Sequence, residues 1–300
     1  MVKATWGECL RHTMLTRDSW IHGTGAKSAI TYANYFTDFK NPGFPVEKIT
    51  IPVMDEFRKH LRHEGRAKAT INRAFSSVKT VLNHCKDHGL FFFNIPKFKN
   101  IKEDVYQRIY FTKDQVEQIC TAAVEIHGHQ DLADIVNFAA YTGMRQSEIL
   151  RLTAARVDFL SNCIHVGARK DDTTKSGAYR AIPIHRSLIP MLQERTKDKG
   201  ARERVFGNDW GKRDGKDGNL YAKDRLLRAF KKVINNYPVN LASEDGYCFH
   251  SLRHSFGTWH FAHGTKPRNL MDMMGHANIA TTLVYGHATD EGKQHDINNI

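Results

Sequence analysis

The sequence predicts a mainly α-helical protein with one small antiparallel β-sheet, an α+β fold divided into two domains. Apolar residues recur at helical spacing along most of the 300 residues. Two short β-like segments, residues 163–169 and 179–184, are joined by the polar stretch KDDTTKSGA, which is typical of a hairpin. Residues 93–108 contain a proline, mixed charge and no periodic pattern, which indicates a linker.

Two helical patterns dominate the first hundred residues. Residues 26–39 carry apolar side chains at near-helical spacing. Residues 68–89 place apolar side chains at steps of four, three, four and three, so that one stripe of the helix is buried: Ile71, Phe75, Val78, Leu82 and Cys85. Thr70 is the expected N-cap of this helix, and Gly89 is expected to end it.

Further helical patterns follow the linker, at residues 112–124, 131–143, 220–234, 249–264 and in the final segments. Thr112 and Gln115 have the spacing of a capping box at the start of the helix at 112–124. Gly143 is expected to end the apolar helix at 131–143. The glycine-rich, charged residues 207–219 are expected to form a surface loop. We therefore predict a helical domain at residues 1–100, a linker at 101–108 and a second domain at 109–300.

The net charge of +12 favours a polyanionic partner, first of all nucleic acid. Residues 1–106 hold 17 Lys and Arg against 10 Asp and Glu, whereas residues 107–300 hold 27 against 22. The positive charge is thus denser in the N-terminal third. The cationic side chains of the 68–89 helix are candidates to follow DNA phosphates: Lys68, Arg73, Lys79 and Lys86.

The sequence does not indicate a secreted protein, a membrane protein or a metal-dependent enzyme. No apolar run approaches the roughly 20 residues of a membrane span, and the N-terminus lacks a signal-peptide pattern, so we expect a cytoplasmic, nucleoid-associated protein. The five cysteines are scattered without a CxxC, so reduced thiols are expected. His250 and His254 are spaced i, i+4, but Ser251 stands where a zinc protease has glutamate, so no metal is predicted.

Four stretches of the second half carry side chains suited to one phosphate. YTGMRQSEILRL places Arg145 at the start of a helix, with Glu148 one turn later. TTKSGAYRAIPI places Lys175 at a hairpin tip, where a flexible lysine can donate a proton. HSLRH puts His250 and Arg253, three residues apart, on one helical face. GHANIATTLVYGH places His276 nine residues before Tyr285.

This ordered set resembles the tyrosine recombinase (phage integrase) family. The resemblance is strongest over residues 107–290 and extends to the helical N-terminal part, which is similar to the family's SAM-like core-binding domain. It implies that Arg145 and Arg253 clamp a scissile DNA phosphate, with Glu148 orienting the arginines. It further implies that His250 helps to accept the tyrosine proton and that His276 adds a phosphate hydrogen bond.

By the same resemblance, Lys175 protonates the leaving 5′-oxygen, and Tyr285, on a C-terminal helix, attacks to give a 3′-phosphotyrosyl link. The chemistry is that of type IB topoisomerases and implies no cofactor, neither ATP nor metal. The implied partners are double-stranded DNA with inverted core-type repeats, three further copies in a synaptic tetramer, and an accessory directionality factor or host DNA-bending protein.

Only about 20 residues precede the first helical pattern, so we expect a short integrase without an arm-binding domain. Its expected role is to integrate and excise a phage or another mobile element. A Xer-like enzyme that resolves chromosome or plasmid dimers, a type IB topoisomerase and a catalytically silent DNA-binding relative are the alternatives. The last is disfavoured because every candidate catalytic position holds a competent side chain.

Overall fold

The chain folds as two compact units, residues Met1–Tyr106 and Gln107–Ile300, in this computed structural model. The structure describes residues 4–23, 25–103, 108–167, 179–206, 218–236, 238–241 and 245–286. Helices dominate both units, and the second unit adds a three-stranded antiparallel sheet. The predicted fold class is therefore confirmed.

The secondary-structure elements in the described part of the N-terminal unit are all helices or 3₁₀ turns. Its elements are α1 (Trp6–Thr16), α2 (Asp18–Ile21), α3 (Ala26–Lys40), a 3₁₀ turn (Val46–Lys48), α4 (Ile51–His63) and α5 (Lys68–Asp87). The apolar stripe predicted for α5 is buried, and it packs mainly against α3 and α1. Aromatic rings fill the space between these helices, among them Trp6, Phe36 and Phe57, which are fully buried.

Two local expectations for this unit need correction. Helix α5 begins at Lys68 after Ala67, so Thr70 lies inside the helix and is not its N-cap. Helix α1 begins at Trp6, after a capping box formed by Thr5 and Glu8, so the expectation that about 20 residues precede the first helix is wrong. Helix α4 was not predicted either. Gly89 does follow the end of α5 with a φ of +74°, as expected of a residue that terminates a helix.

The second unit contains the remaining helices and the sheet. In chain order these are α6 (Lys113–Glu125), α7 (Gln130–Thr142), α8 (Gln146–Arg151), a 3₁₀ turn (Ala154–Arg156), β1 (Val157–Asp158), β2 (Cys163–Val166), β3 (Arg180–Pro183), a 3₁₀ turn (Arg186–Leu188), α9 (Ile189–Thr196), α10 (Gly218–Ile234), α11 (Phe249–Ala262), α12 (Pro267–Met274) and α13 (Ala280–Leu283). The capping box of Thr112 and Gln115 is present at α6, as predicted. Helix α7 is central, because it packs on both α6 and α11.

The sheet has the order β1–β2–β3, with antiparallel pairing between neighbours. Ile164 pairs with Ile182, and both side chains are buried in the core of this unit. The segment 168–178, which joins β2 to β3 and contains Lys175, lies outside the described residues, as do residues 207–217 of the predicted loop. Over the described ranges, no helix combines the length and the apolar character that crossing a bilayer requires.

Candidate active site

Two arginines lie against the C-terminal ends of two helices. Arg253, on α11, is only 3% exposed, and its guanidinium donates to the carbonyl of Gly143 after α7 and, at 2.6 Å, to that of Met274 at the end of α12. Arg145, directly before α8, donates to the carbonyl of Gly275 at 3.1 Å. Carbonyls at a helix C-terminus lack intrahelical partners and carry partial negative charge. They therefore compensate the buried guanidinium groups.

Glycine is required at both helix ends. Gly143 and Gly275 adopt left-handed conformations, with φ of +59° and +64°. A Cβ at Gly143 would lie 2.5 Å from the ring of Phe256, and a Cβ at Gly275 would lie 2.9 Å from the guanidinium of Arg180. The glycines thus turn the chain and leave room for the side chains of the site.

Glu148 is the carboxylate that holds the arginines together. Its two oxygens accept hydrogen bonds from the backbone and side chain of Arg145, at 2.8 and 3.0 Å, and from the side chain of Arg180, at 3.2 and 2.6 Å. Burial would raise the pKa of Glu148, but hydrogen bonds and charge from Arg180, and then from Arg145, outweigh burial and keep the pKa below its ordinary value. The carboxylate is thus ionised at neutral pH, between two arginines.

Arg180 is a further residue of the site that was not predicted from the sequence. This residue lies on β3, is 7% exposed, and also donates from Nε to the carbonyl of Met273 at 2.9 Å. A signal was present in the alternation of the strand, because Arg180 occupies the same inward face as Ile182. A charged side chain at an inward position needs a buried partner, and here the partner is Glu148.

Tyr285 lies in the turn after α13, which ends at Leu283, so the expectation that it sits on a C-terminal helix is wrong. Its side chain is buried, at 5% exposure, and its ring covers Gly257 of α11. The phenol oxygen is 3.1 Å from Nδ1 of His254. His254 was weighed from the sequence only as a metal ligand, whereas in the structure it is the hydrogen-bond partner of the tyrosine.

Two more histidines share this region. The rings of His250 and His254 meet edge to face, with centroids 4.8 Å apart. The ring of His276 is nearly parallel to that of Tyr285 at 6.3 Å, and its Nδ1 lies 2.8 Å from the hydroxyl of Thr282. Burial, followed by the charge of Arg253, lowers the pKa of both His250 and His276 to about 4.

His254 has the lowest pKa of the three, about 3, because of burial and then the neighbouring His250 and Arg108. All three imidazoles are therefore neutral at pH 7 and able to accept a proton. With its own proton on Nε2, His254 can accept the phenol proton at Nδ1.

Arg108 is the second residue that the sequence analysis missed. It belongs to the second unit, and its guanidinium lies 5.6 Å from the centroid of the Tyr285 ring. Burial raises the pKa of Tyr285, whereas the charges of Arg108 and Arg253 act in the opposite direction. The phenol is thus protonated at neutral pH, among cations that would stabilise its anion.

The structure brings together five of the six predicted catalytic residues and the predicted supporting residue Glu148: Arg145, His250, Arg253, His276 and Tyr285, with Glu148 between the arginines. The sixth, Lys175, lies outside the described residues. The roles assigned to these side chains stay predictions. What the geometry provides is a buried phenol beside a neutral base, next to arginines that one carboxylate only partly neutralises.

The four predicted DNA-contacting cations of α5 do not form a single row. Lys79 donates to the carbonyl of Phe98 at 3.2 Å and Lys86 to the side chain of Asn94 at 3.2 Å. Arg73 is exposed, and its guanidinium donates to the hydroxyl of Tyr32 at 3.3 Å. Lys68 is also exposed and interacts with another residue. Two of the four cations thus contact the segment that follows α5.

Comparison with known families identifies both units. Residues 110–292 match the model of the phage integrase family, and residues 20–101 match that of the phage integrase SAM-like domain. The chain belongs to the phage integrase family. The resemblance seen in the sequence is thus confirmed, and the chain is a tyrosine recombinase, an enzyme class that cleaves and rejoins DNA.

Relatives include XerC-like tyrosine recombinases and proteins named as transposases, such as that of Tn916. The chain is 26% identical to a XerC-like tyrosine recombinase of Caldanaerobacter subterraneus subsp. tengcongensis, over 97% of this chain and 81% of that protein. It is 28% identical to the transposase from transposon Tn916 of Enterococcus faecalis, over 78% of this chain and 62% of that protein.

Solved structures agree on the fold. The Tn1549 transposon integrase in complex with a circular intermediate DNA superimposes with a TM-score of 0.75 at 20% identity, covering 99% of each chain. A lambda integrase dimer bound to a core site gives a TM-score of 0.69 at 17% identity, covering 96% of this chain and 78% of that one.

Proposed function

We propose that this recombinase cuts and rejoins DNA at specific sites through a covalent link between Tyr285 and a 3′-phosphate. One observation carries the proposal: the buried hydroxyl of Tyr285 is hydrogen-bonded to the neutral imidazole of His254, within a cluster of arginines. A phenol is a weak nucleophile at pH 7 because its ordinary pKa is about 10. It needs a base for its proton and cations for the charge of the transition state.

The proposed first step forms a bond between the tyrosine oxygen and phosphorus and breaks the bond from phosphorus to the 5′-oxygen. The phenol proton passes to His254 or His250, which are neutral before DNA arrives and become stronger bases once the negative phosphate lies beside them. Arg145 and Arg253 bind the non-bridging oxygens, with His276 as a further donor. The N–H groups that do not face the phosphate donate to carbonyls at helix ends and to Glu148, and these hydrogen bonds hold both guanidinium groups in place.

Lys175 completes the step by donating a proton to the leaving 5′-oxygen, a role that rests on the family motif. The phosphodiester energy is kept in the tyrosine link, so no ATP is consumed. Attack by the 5′-hydroxyl of a partner strand reverses the step and joins the new strands. Tyr285 then takes back its proton and is ready for another cycle.

The N-terminal unit is proposed to complete a clamp on double-stranded DNA with inverted core-type repeats, with the domain boundary in residues 101–108. Lys68 and Arg73, which are exposed, are better candidates for phosphate contacts than Lys79 and Lys86. Exchange of strands between two sites requires four active sites, so we propose a homotetramer on DNA. An accessory directionality factor or a host DNA-bending protein would act with it in the nucleoid.

Integration and excision of a mobile element is the proposed biological role, and Xer-like dimer resolution is the second candidate. The similarity to the Tn916 transposase supports the first role, and the similarity to XerC-like recombinases supports the second. The DNA that flanks the gene separates them. An attachment site at the junction with host sequence is expected for an element integrase, and its absence would favour the resolvase role.

The test of the chemistry is a nicked suicide substrate made from those flanking junctions. The nick lets the cleaved end diffuse away, so the wild-type chain is expected to accumulate a covalent adduct that survives SDS. Mass spectrometry should place the DNA on Tyr285. The Tyr285→Phe variant should form no adduct, because it lacks only the attacking oxygen.

Tyr141→Phe is the matched control, since Tyr141 is a partly buried tyrosine of the same unit that packs against His185 and Trp259. It should form adduct at the wild-type rate. An adduct that persists in Tyr285→Phe would refute the assignment of the nucleophile, and binding without any adduct would indicate a silent relative. Recombination between two plasmid sites, rather than simple relaxation, separates a recombinase from a type IB topoisomerase.

A further inference from the structure

Three histidines of the N-terminal unit meet where α1 packs against the end of α5. His84 and His88 are one turn apart, at the last turn and the C-cap of α5, and His12 comes from α1. One ring nitrogen of each lies within 4.8 Å of the other two. Nε2 of His12 and Nδ1 of His88 are 3.0 Å apart, and the rings of His84 and His88 have centroids 4.1 Å apart.

The hydrogen bonds around His84 fix its neutral form. The hydroxyl of Thr16 donates its single proton to the carbonyl of His12 at 2.8 Å. The same hydroxyl is 2.8 Å from Nε2 of His84, so it must accept the proton of that nitrogen. Nδ1 of His84 therefore keeps a free lone pair, and Thr16 acts as the outer partner that orients many metal-binding histidines.

We propose that His12, His84 and His88 bind a divalent transition-metal ion of the zinc class. Imidazole nitrogens are preferred ligands of zinc, nickel, cobalt and copper. Nitrogens in a tetrahedral zinc site, with bonds of about 2.0–2.1 Å, lie about 3.3 Å apart. The pair at 3.0 Å needs to open by only a few tenths of an ångström, and the ion replaces the proton that these two nitrogens share.

Two charged side chains near the histidines affect the affinity for a cation without being ligands. The charge of Arg17 is felt by His84 and opposes a cation, whereas Asp87 acts in the opposite direction. Three histidines leave one coordination position, which water or an external ligand would take. The bound ion would link α1 to α5, so it stabilises the N-terminal unit, and this role is independent of the chemistry at Tyr285.

The sequence gives little sign of this site, because His12 and His88 are 76 residues apart. Only the His84–His88 pair has a motif-like spacing, and such pairs are common on helices. The site is created when the two helices pack, and it lies outside every motif that identifies the family.

The experiment uses the full chain without a histidine tag, titrated with Zn²⁺ by calorimetry and with Co²⁺ by visible absorption. We expect one ion per chain at this site, with the intense d–d bands of a tetrahedral or five-coordinate Co²⁺ complex. Saturation with Zn²⁺ should raise the Tm of the N-terminal unit by about 5 °C or more.

His88→Ala is the main variant, because His88 is exposed and its loss leaves the packing of the unit intact. It should weaken Zn²⁺ binding at least tenfold and abolish the Co²⁺ bands, and His12→Ala should do the same. His63→Ala, which removes an exposed histidine of α4, is the matched control and should change the Kd less than twofold.

Three results would overturn the proposal. The first is wild-type protein that binds no Zn²⁺ at micromolar concentration. The second is an unchanged stoichiometry and affinity in the double variant His12→Ala/His88→Ala, which would assign binding to other histidines. The third is an equal loss in His63→Ala. Circular dichroism of each variant separates lost ligation from lost folding.

Discussion

Substitution of Gly257 by alanine should slow DNA cleavage without unfolding the protein. Gly257 lies inside α11, directly beneath the ring of Tyr285. A Cβ there would lie 2.8–2.9 Å from three carbon atoms of the ring, whereas ordinary van der Waals contact begins at about 3.4 Å. The tyrosine must therefore move by about half an ångström or more, away from its contact with His254.

The two effects of this substitution on stability oppose each other and leave a net loss of about 0–2 kcal/mol. Alanine improves the helix by up to about 1 kcal/mol relative to glycine, whereas overpacking costs about 1–3 kcal/mol. The ring is held by a short turn after α13 and not by a long helix, so the clash is relieved by moving that turn. A misplacement of this size is expected to slow attack on the phosphate about 10- to 100-fold.

The assay is the single-turnover rate of adduct formation on a nicked substrate, measured with saturating protein. Gly200→Ala is the matched control, because a Cβ at Gly200 meets only the side chain of Glu203, at 3.6 Å. DNA affinity should stay close to the wild-type value in both variants; the Tm should be unchanged in Gly200→Ala and fall by no more than about 8 °C in Gly257→Ala. If Gly257→Ala cleaves at the wild-type rate, the buried position of Tyr285 against α11 is not the reactive one.

Three further predictions concern charge and backbone at the site. Glu148→Gln should destabilise the protein by about 3–5 kcal/mol in urea denaturation, because it leaves the buried Arg180 and the half-buried Arg145 without their carboxylate; an unchanged midpoint would contradict this. Stability should be constant above about pH 7.5 and fall by about 3–9 kcal/mol by pH 4, the lower end allowing for solvent screening of the partly exposed rings, because His250, His254 and His276 resist protonation when folded but not when unfolded; a flat profile from pH 7 to 5 would refute the low pKa values. Gly143→Ala should cost about 2–4 kcal/mol, from the left-handed backbone and the clash with a neighbouring ring, and a loss below 1 kcal/mol by the same assay would count against it.

Periodicity and capping residues predicted much of the fold. The stripe of α5 and the capping box of α6 were readable because the signals lie within a few residues of each other. The start of α5 was misplaced because Thr70 suits an N-cap in isolation, yet the helix gains another turn by starting at Lys68. Helices α1 and α4 were missed because their burial depends on aromatic partners from distant segments.

The active-site residues that could be predicted are those that belong to sequence motifs. Arg145, Glu148, Arg253 and Tyr285 belong to ordered patterns, and the structure gathers them around one point. Arg180 and Arg108 belong to no such pattern. Their importance follows from tertiary contacts, to Glu148 in one case and to the ring of Tyr285 in the other. The alternation of β3 places Arg180 on the inward face, but no comparable local pattern marks Arg108.

The glycines in the motifs TGMR and MGH have a physical link to the arginines. Gly143 and Gly275 each end a helix in the left-handed conformation, which directs the last carbonyls of α7 and α12 towards the site. Those carbonyls accept from Arg253 and Arg145, so they fix the direction in which the remaining N–H groups point. Glu148 neutralises only part of the positive charge, so the site keeps its attraction for a phosphate. The motif therefore encodes a preorganised anion site, in which backbone carbonyls orient the cations and the cations are left to stabilise the transition state.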